Sequence, residues 1–117
     1  MVAAGSGPIA PFNLQNASSG TVVQYSLLLI PLAGGNDLIV DSRDGSAVGG
    51  IGNGVAEGKL TGGLYQEWYI APQGNGYVGI VNASNYMVLD QTGTGKVVLD
   101  GWYGGLSQQW FLSEPAY

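Results

Sequence analysis

The chain has 117 residues, enough for one hydrophobic core and too few for two. Hydrophobic residues make up 45% and charged residues only 9%, with 21 glycines, which is the composition of a compact, turn-rich fold and not of a disordered chain. Three basic residues (Arg43, Lys59 and Lys96) face eight acidic ones, so no basic surface exists for a nucleic-acid backbone or an anionic membrane, and the absence of Cys and His removes disulfides, thiolate ligands and His-based nucleophilic triads.

The start of the chain, residues 1–11, lacks the charged and apolar regions of a secretory signal and is rich in small residues. It is expected to be a flexible segment without a role, and the protein to be cytoplasmic. Phe12 to Asn16 then reads as a strand, Asn16-Ala17-Ser18-Ser19-Gly20 as a slim turn and Thr21 to Val23 as the next strand. The apolar run Ser26 to Leu32 is far too short to span a bilayer and carries Pro31, so it reads as a buried strand. Leu38 to Val48 gives strand, turn and strand again, with Asp41-Ser42-Arg43-Asp44-Gly45 at the turn. Helical periodicity is missing throughout, and short β-branched or aromatic runs punctuated by Gly, Asn and Ser predict an all-β domain covering residues 1–117.

Internal repetition narrows the architecture. The segment Phe12 to Val23 matches Tyr77 to Leu89, with Asn-Ala-Ser in register at Asn16 and Asn82, and Leu38 to Val48 is a weaker third copy. Independently, Gly62-Gly63-Leu64-Tyr65-Gln66-Glu67-Trp68 recurs as Gly104-Gly105-Leu106-Ser107-Gln108-Gln109-Trp110, with the tryptophans 42 residues apart. Asn16 and Asn82 lie only 66 residues apart, so about 18 residues are missing from the first two repeats. The gap falls either between Tyr25 and Leu27, removing two strands of the first lobe, or after Val40. In the second case Gly34-Gly35-Asn36 answers to Gly104-Gly105-Leu106, and Val40 stands where the other copies have Trp.

These repeats resemble those of the fungal ricin B-like β-trefoils over residues 12–111, best in the third copy through Val88-Leu89-Asp90, Gly101-Trp102-Tyr103-Gly104-Gly105 and Gln108-Gln109-Trp110. The resemblance implies a pseudo-threefold β-trefoil with a shortened first or second repeat. In its Gln-x-Trp motif the indole fills the shared core and the Gln amide satisfies nearby backbone. Lectins of this kind hold sugar with an Asp, an aromatic ring and a polar side chain, which map here to Asp90, to Trp102 or Tyr103, and to Ser107. The Asp position is Gln24 in the first repeat and Gly49 in the second, so one site at most survives, too few to cross-link cells from a monomer. For Asp90 the competing role is capping of a turn.

The resemblance extends to small cysteine-free β-trefoil protease inhibitors, the mycocypins and cocaprins, and implies a defence role through loops that obstruct papain-like or pepsin-like proteases. The main functional expectation is therefore a non-enzymatic, monomeric, reversible protease inhibitor, and the alternative is a monovalent lectin. The candidate protease-binding residues are Asn16, Ala17, Ser18, Ser19 and Gly20, then Arg43 and Asp44, with Gln73-Gly74-Asn75-Gly76 as a third loop. No cofactor or metal is expected, since Asp37, Asp41 and Asp44 lack EF-hand spacing and read as a solvated acidic turn. The Asn-Ala-Ser sequons at Asn16 and Asn82 read as products of the repeat.

Overall fold

The computed structural model describes residues 11–113, so the N-terminal segment expected to be flexible lies outside the described residues except for Pro11. The described residues form ten strands: β1 Phe12–Asn16, β2 Val22–Pro31, β3 Asp37–Asp41, β4 Ala47–Ile51, β5 Gly54–Gly58, β6 Trp68–Pro72, β7 Val78–Asn82, β8 Val88–Gln91, β9 Val97–Asp100 and β10 Trp110–Ser113. One-turn 3-10 segments, Leu64–Gln66 and Leu106–Gln108, precede β6 and β10. Every pairing is antiparallel, and β1, β2, β3, β6, β7 and β10 close a ring. The hairpins β4–β5 and β8–β9 branch from this ring.

Register exposes the threefold relation. Asn16 lies opposite Trp110, Asn82 opposite Trp68, and Asp41 opposite Leu27. Counted from these pairs, Leu14, Ile39 and Ile80 form one core layer, and Val48 and Leu89 are matched by Val23. Alternation explains why the strands face this way: on β1, Phe12, Leu14 and Asn16 are buried while Asn13 and Gln15 are half-buried. Trp68 and Trp110 are fully buried, and their indole N–H groups donate to the carbonyls of Val48 (2.9 Å) and Leu89 (3.1 Å). Gln66 and Gln108 are buried beside them. The Gln108 amide accepts from the backbone N–H of Tyr103 and donates to the Gly101 carbonyl, while Gln66 accepts from the Thr61 N–H and donates to the Lys59 carbonyl. The scaffold role expected for Gln-x-Trp holds.

The gap falls in the first lobe, between Tyr25 and Leu27. Leu27 holds the tryptophan position, whereas Val40 sits inside β3 opposite Leu28, and Gly34-Gly35-Asn36 belongs to the turn in which the Leu32 N–H donates to the Asn36 carbonyl. One strand is lost, not two: among the described residues the counterpart of β5 and β9 is absent together with the 3-10 turn. The flanking strands are spliced into the ten-residue β2. The joint is Ser26, at φ +58°, whose N–H is held by the Asn13 side chain and whose carbonyl accepts from the Ser42 N–H.

Each lobe opens on the same turn. The first residue's side chain accepts backbone N–H groups within the turn, from Ser18 and Ser19 at Asn16, Arg43 at Asp41 and Ser84 at Asn82. Four residues on, the chain passes through positive φ at Gly20 (+70°), Gly45 (+78°) and Tyr86 (+60°). Tyr86 is exposed and carries a Cβ where its counterparts have none. Tyr86→Gly is therefore expected to stabilise the protein by about 1 kcal/mol, raising the melting temperature by about 5 °C in a calorimetric scan.

Candidate functional site

The third lobe carries a pocket of about 540 Å³ whose wall is shared with the first lobe. β8 supplies Asp90 and Gln91, β9 ends on Asp100, the loop before the second 3-10 turn supplies Tyr103, and that turn supplies Ser107. The opposite wall is the turn Asn16 to Gly20, fixed where Ser19 Oγ donates to Gln91 Oε1 at 2.6 Å. Two groups of residues separately expected to bind different partners thus meet in one place: Ser18 and Ser19 with Asp90, Tyr103 and Ser107.

Asp90 is only 4% exposed, lies inside β8 and receives a hydrogen bond from Gln108 Nε2 at 3.3 Å. Its place inside a strand gives it no turn to cap; at the lobe starts that part falls to Asn16, Asp41 and Asn82. Asp100 stands beside Asp90. Hydrogen bonding between the two carboxyls, reinforced by partial desolvation and by repulsion between their charges, pushes Asp100 above the usual carboxylate range. The Tyr103 hydroxyl and Ser107 Oγ are 2.6 Å apart, giving a polar edge next to an exposed ring. Of the two aromatic residues considered, Tyr103 lines the pocket. Trp102 leans toward Gly79, where any side chain would approach its ring at about 3.6 Å.

The counterpart sites are closed differently. In the second lobe Gly49 stands for Asp90, and a Cβ there would lie 3.0 Å from the Tyr65 ring, which fills the space a carboxylate would need. In the first lobe Gln24 reaches out to Glu57 Oε2 (3.0 Å) and Asp41 Oδ2 (3.4 Å).

The other candidates are placed as follows. Arg43 is tied back to Asp41 by two contacts, Nε to Oδ1 at 2.9 Å and a terminal guanidinium nitrogen to Oδ2 at 2.7 Å. Its side chain stays exposed while paired in this way. Asp44 Oδ1 accepts from the Ser46 N–H. Asp37 is buried on β3 and does not join Asp41 and Asp44; the third carboxylate near them is Glu57, all within 4.8 Å. The side chains of Asn16 and Asn82 are fully buried with their amide nitrogens bonded to the carbonyls of Ser107 and Tyr65, so neither sequon presents its nitrogen in the folded state. Asn75 bonds to Gln109 and to the Tyr77 N–H, ordering the third loop. Asp100 and Gln91 escaped sequence reasoning. Only the step of one residue from Asp100 to the Gly101-Trp102 motif pointed toward the former.

Among solved structures, the designed threefold-symmetric protein ThreeFoil is similar at a TM-score of 0.78 and 24% identity, over 89% of this chain and 98% of that one. The BEL β-trefoil follows at 0.77 and 17%, over 97% and 95%. The chain is a β-trefoil. SeviL, solved bound to the asialo-GM1 saccharide, superposes on this trefoil at 0.76 with 15% identity, over 93% and 100%. No protein-family model and no functionally curated protein matches the sequence. Among the described residues of the trefoil, no helix is long and apolar enough to cross a membrane.

Proposed function

We propose that this trefoil is a non-enzymatic, monovalent glycan-binding module whose one site is the third-lobe pocket, with a galactose-type or N-acetylgalactosamine-type sugar as its ligand. The observation that carries the reading is the convergence of Asp90 and Asp100 with the Tyr103 ring and the hydroxyls of Ser107 and Ser19 around one pocket. Carboxylates accept pairs of sugar hydroxyls, a ring covers the apolar face of the sugar and hydroxyls complete its orientation. The saccharide in SeviL supports the ligand class by analogy of fold.

A glycan array followed by titration of the best hit tests the reading. Asp90→Asn is expected to lower affinity about tenfold or more, because a charged acceptor is lost from the pocket floor. Absence of glycan binding, or binding that survives both Asp90→Asn and Tyr103→Ala, overturns it. Blocking of papain-like or pepsin-like proteases is the second reading. It is favoured by the exposed tips Ser18-Ser19-Gly20 and Asn75-Gly76, of which Gly20, Asn75 and Gly76 line a groove of about 360 Å³. Inhibition that persists in Asp90→Asn and disappears when Ser18-Ser19-Gly20 is enlarged would establish that reading instead.

A site of paired carboxylates has a cost that can be measured. Because the Asp100 carboxyl is raised in the fold, the folded state binds its proton more readily than the unfolded chain does. The repulsion is present above the raised value and relieved as pH falls through it. Asp100→Asn is thus expected to melt at a higher temperature than the parent at pH 7. That advantage should vanish near pH 3, and the variant should bind glycan less tightly.

A further inference from the structure

Among the described residues the first lobe lacks the strand that closes the other two, and beside its place lies a pocket. In the third lobe β9 pairs with β8, Leu89 opposite Leu99 and Asp90 opposite Val98, and Leu99 is fully buried. In the second lobe β5 pairs with β4 in the same way. In the first, residues 22–25 pair with β1 along one edge, and among the described residues no strand occupies the other. Beside that edge opens a cavity of about 180 Å³, floored by Leu14, Leu27, Ile39, Val48 and Leu89 and flanked by Val23. All five floor residues are buried core. At the rim, Gln24 bonds to Glu57 and Asp41. The carboxylates of Asp41, Asp44 and Glu57 cluster there, with Arg43 already committed to Asp41.

We propose that this slot docks an extended peptide segment of a partner protein, reading aliphatic, cationic, aliphatic in alternation. The other two lobes show what closes such a space: a β-strand paired antiparallel to the hairpin's first strand, which places Leu99 fully buried opposite Leu89 in the third lobe and the half-buried Val55 against the core in the second. Cross-strand partners share a face, so the residue opposite Val23 enters the cavity and the residue opposite Gln24 meets the acidic rim. Backbone hydrogen bonds along residues 22–25 supply affinity, and the cavity and the rim supply selectivity. Glu57 fits a cationic partner, since desolvation first, and the neighbouring Asp41 next, hold its carboxyl above the usual range and leave it short of countercharge.

The test is an NMR titration of the full chain with a capped Gly-Val-Lys-Leu-Gly peptide. Saturable shifts confined to residues 22–27, 48 and 55–57, at a Kd of about 100 μM, are expected for so short a strand. A Val-Glu-Leu peptide should bind at least about tenfold more weakly. Glu57→Gln, a change at an exposed position, should narrow that difference. The glycan-site variant Asp90→Asn should bind the Val-Lys-Leu peptide as the parent does, which separates this slot from the sugar pocket. No saturation up to about 2 mM, which leaves less than about 4 kcal/mol of binding, would overturn the proposal. Shifts elsewhere on the trefoil, or equal binding of the Val-Glu-Leu peptide, would do the same. Equal binding of a backbone N-methylated peptide would make the cavity a small-ligand site. Binding seen only when residues 1–10 are removed would assign the slot to the chain's own start.

Discussion

Trp110→Ala is expected to destabilise the trefoil by about 3–5 kcal/mol, a large share of what a domain of this size possesses. Trp110 is fully buried, stands opposite both Asn16 and Val78 at the meeting of the first and third lobes, and ties its indole N–H to the Leu89 carbonyl. Truncation removes the largest kind of side chain in the core, opens a cavity and leaves that carbonyl without its donor. Urea unfolding should show a midpoint shifted strongly down with an unchanged slope. Trp110→Phe, which keeps most of the volume and loses the donor, should cost about 1–3 kcal/mol. Leu27→Ala should cost less than Trp110→Ala, about 2–3 kcal/mol, because Leu27 is smaller and already borders the open cavity.

The same residues show why the fold was legible in the sequence. A threefold arrangement asks for the same hydrogen bonds three times, so Asn-Ala-Ser at two lobe starts and Gln-x-Trp at two lobe ends carried the repeat on their face. The assignment of Gln24 and Gly49 to the Asp90 position followed from that register and holds in the structure. The site was legible only in pieces. Asp90, Tyr103 and Ser107 were named through one motif and Ser18 and Ser19 through another. What joins them, Ser19 to Gln91, spans 72 residues and leaves no periodic trace. The gap was ambiguous because Leu27 looks like any strand leucine, and only its position opposite Asp41 shows that it does a tryptophan's work. Arg43 is exposed, as its turn led one to expect, but its pairing was not legible because sequence does not report that a side chain folds back on a neighbour two residues away.

One substitution in the repeat did mark the gap, and it carries the last expectation. Asn16 and Asn82 each donate through Nδ2 to a carbonyl in the 3-10 turn that ends the preceding lobe, Ser107 and Tyr65 respectively, both at 2.9 Å. The preceding lobe of Asp41 has lost its turn, so an asparagine there would aim its N–H at no carbonyl. A carboxylate, which only accepts, fits instead, and Arg43 supplies its donors. Asn16→Asp is therefore not a mild change. It sets a buried charge against the Ser107 carbonyl, and is expected to cost about 3–5 kcal/mol at pH 7, read by urea or thermal unfolding. The variant's carboxyl should titrate high, so the penalty eases as pH falls and the acid form can donate where the amide did. Asp41 must behave in the opposite sense. Hydrogen bonds from Arg43 hold its carboxyl far below the usual range, so its contribution is present above the ordinary carboxylate pKa and is lost as acid protonates it. Unfolding curves of the parent, Asn16→Asp and Asp41→Asn between about pH 3 and pH 8, a window that spans the ordinary carboxylate range, should separate the two signs. Acid should rescue Asn16→Asp, whereas Asp41→Asn should lose stability at neutral pH and show less acid sensitivity than the parent. Equal tolerance of Asn and Asp at both positions would mean that the 3-10 carbonyl does not select the residue.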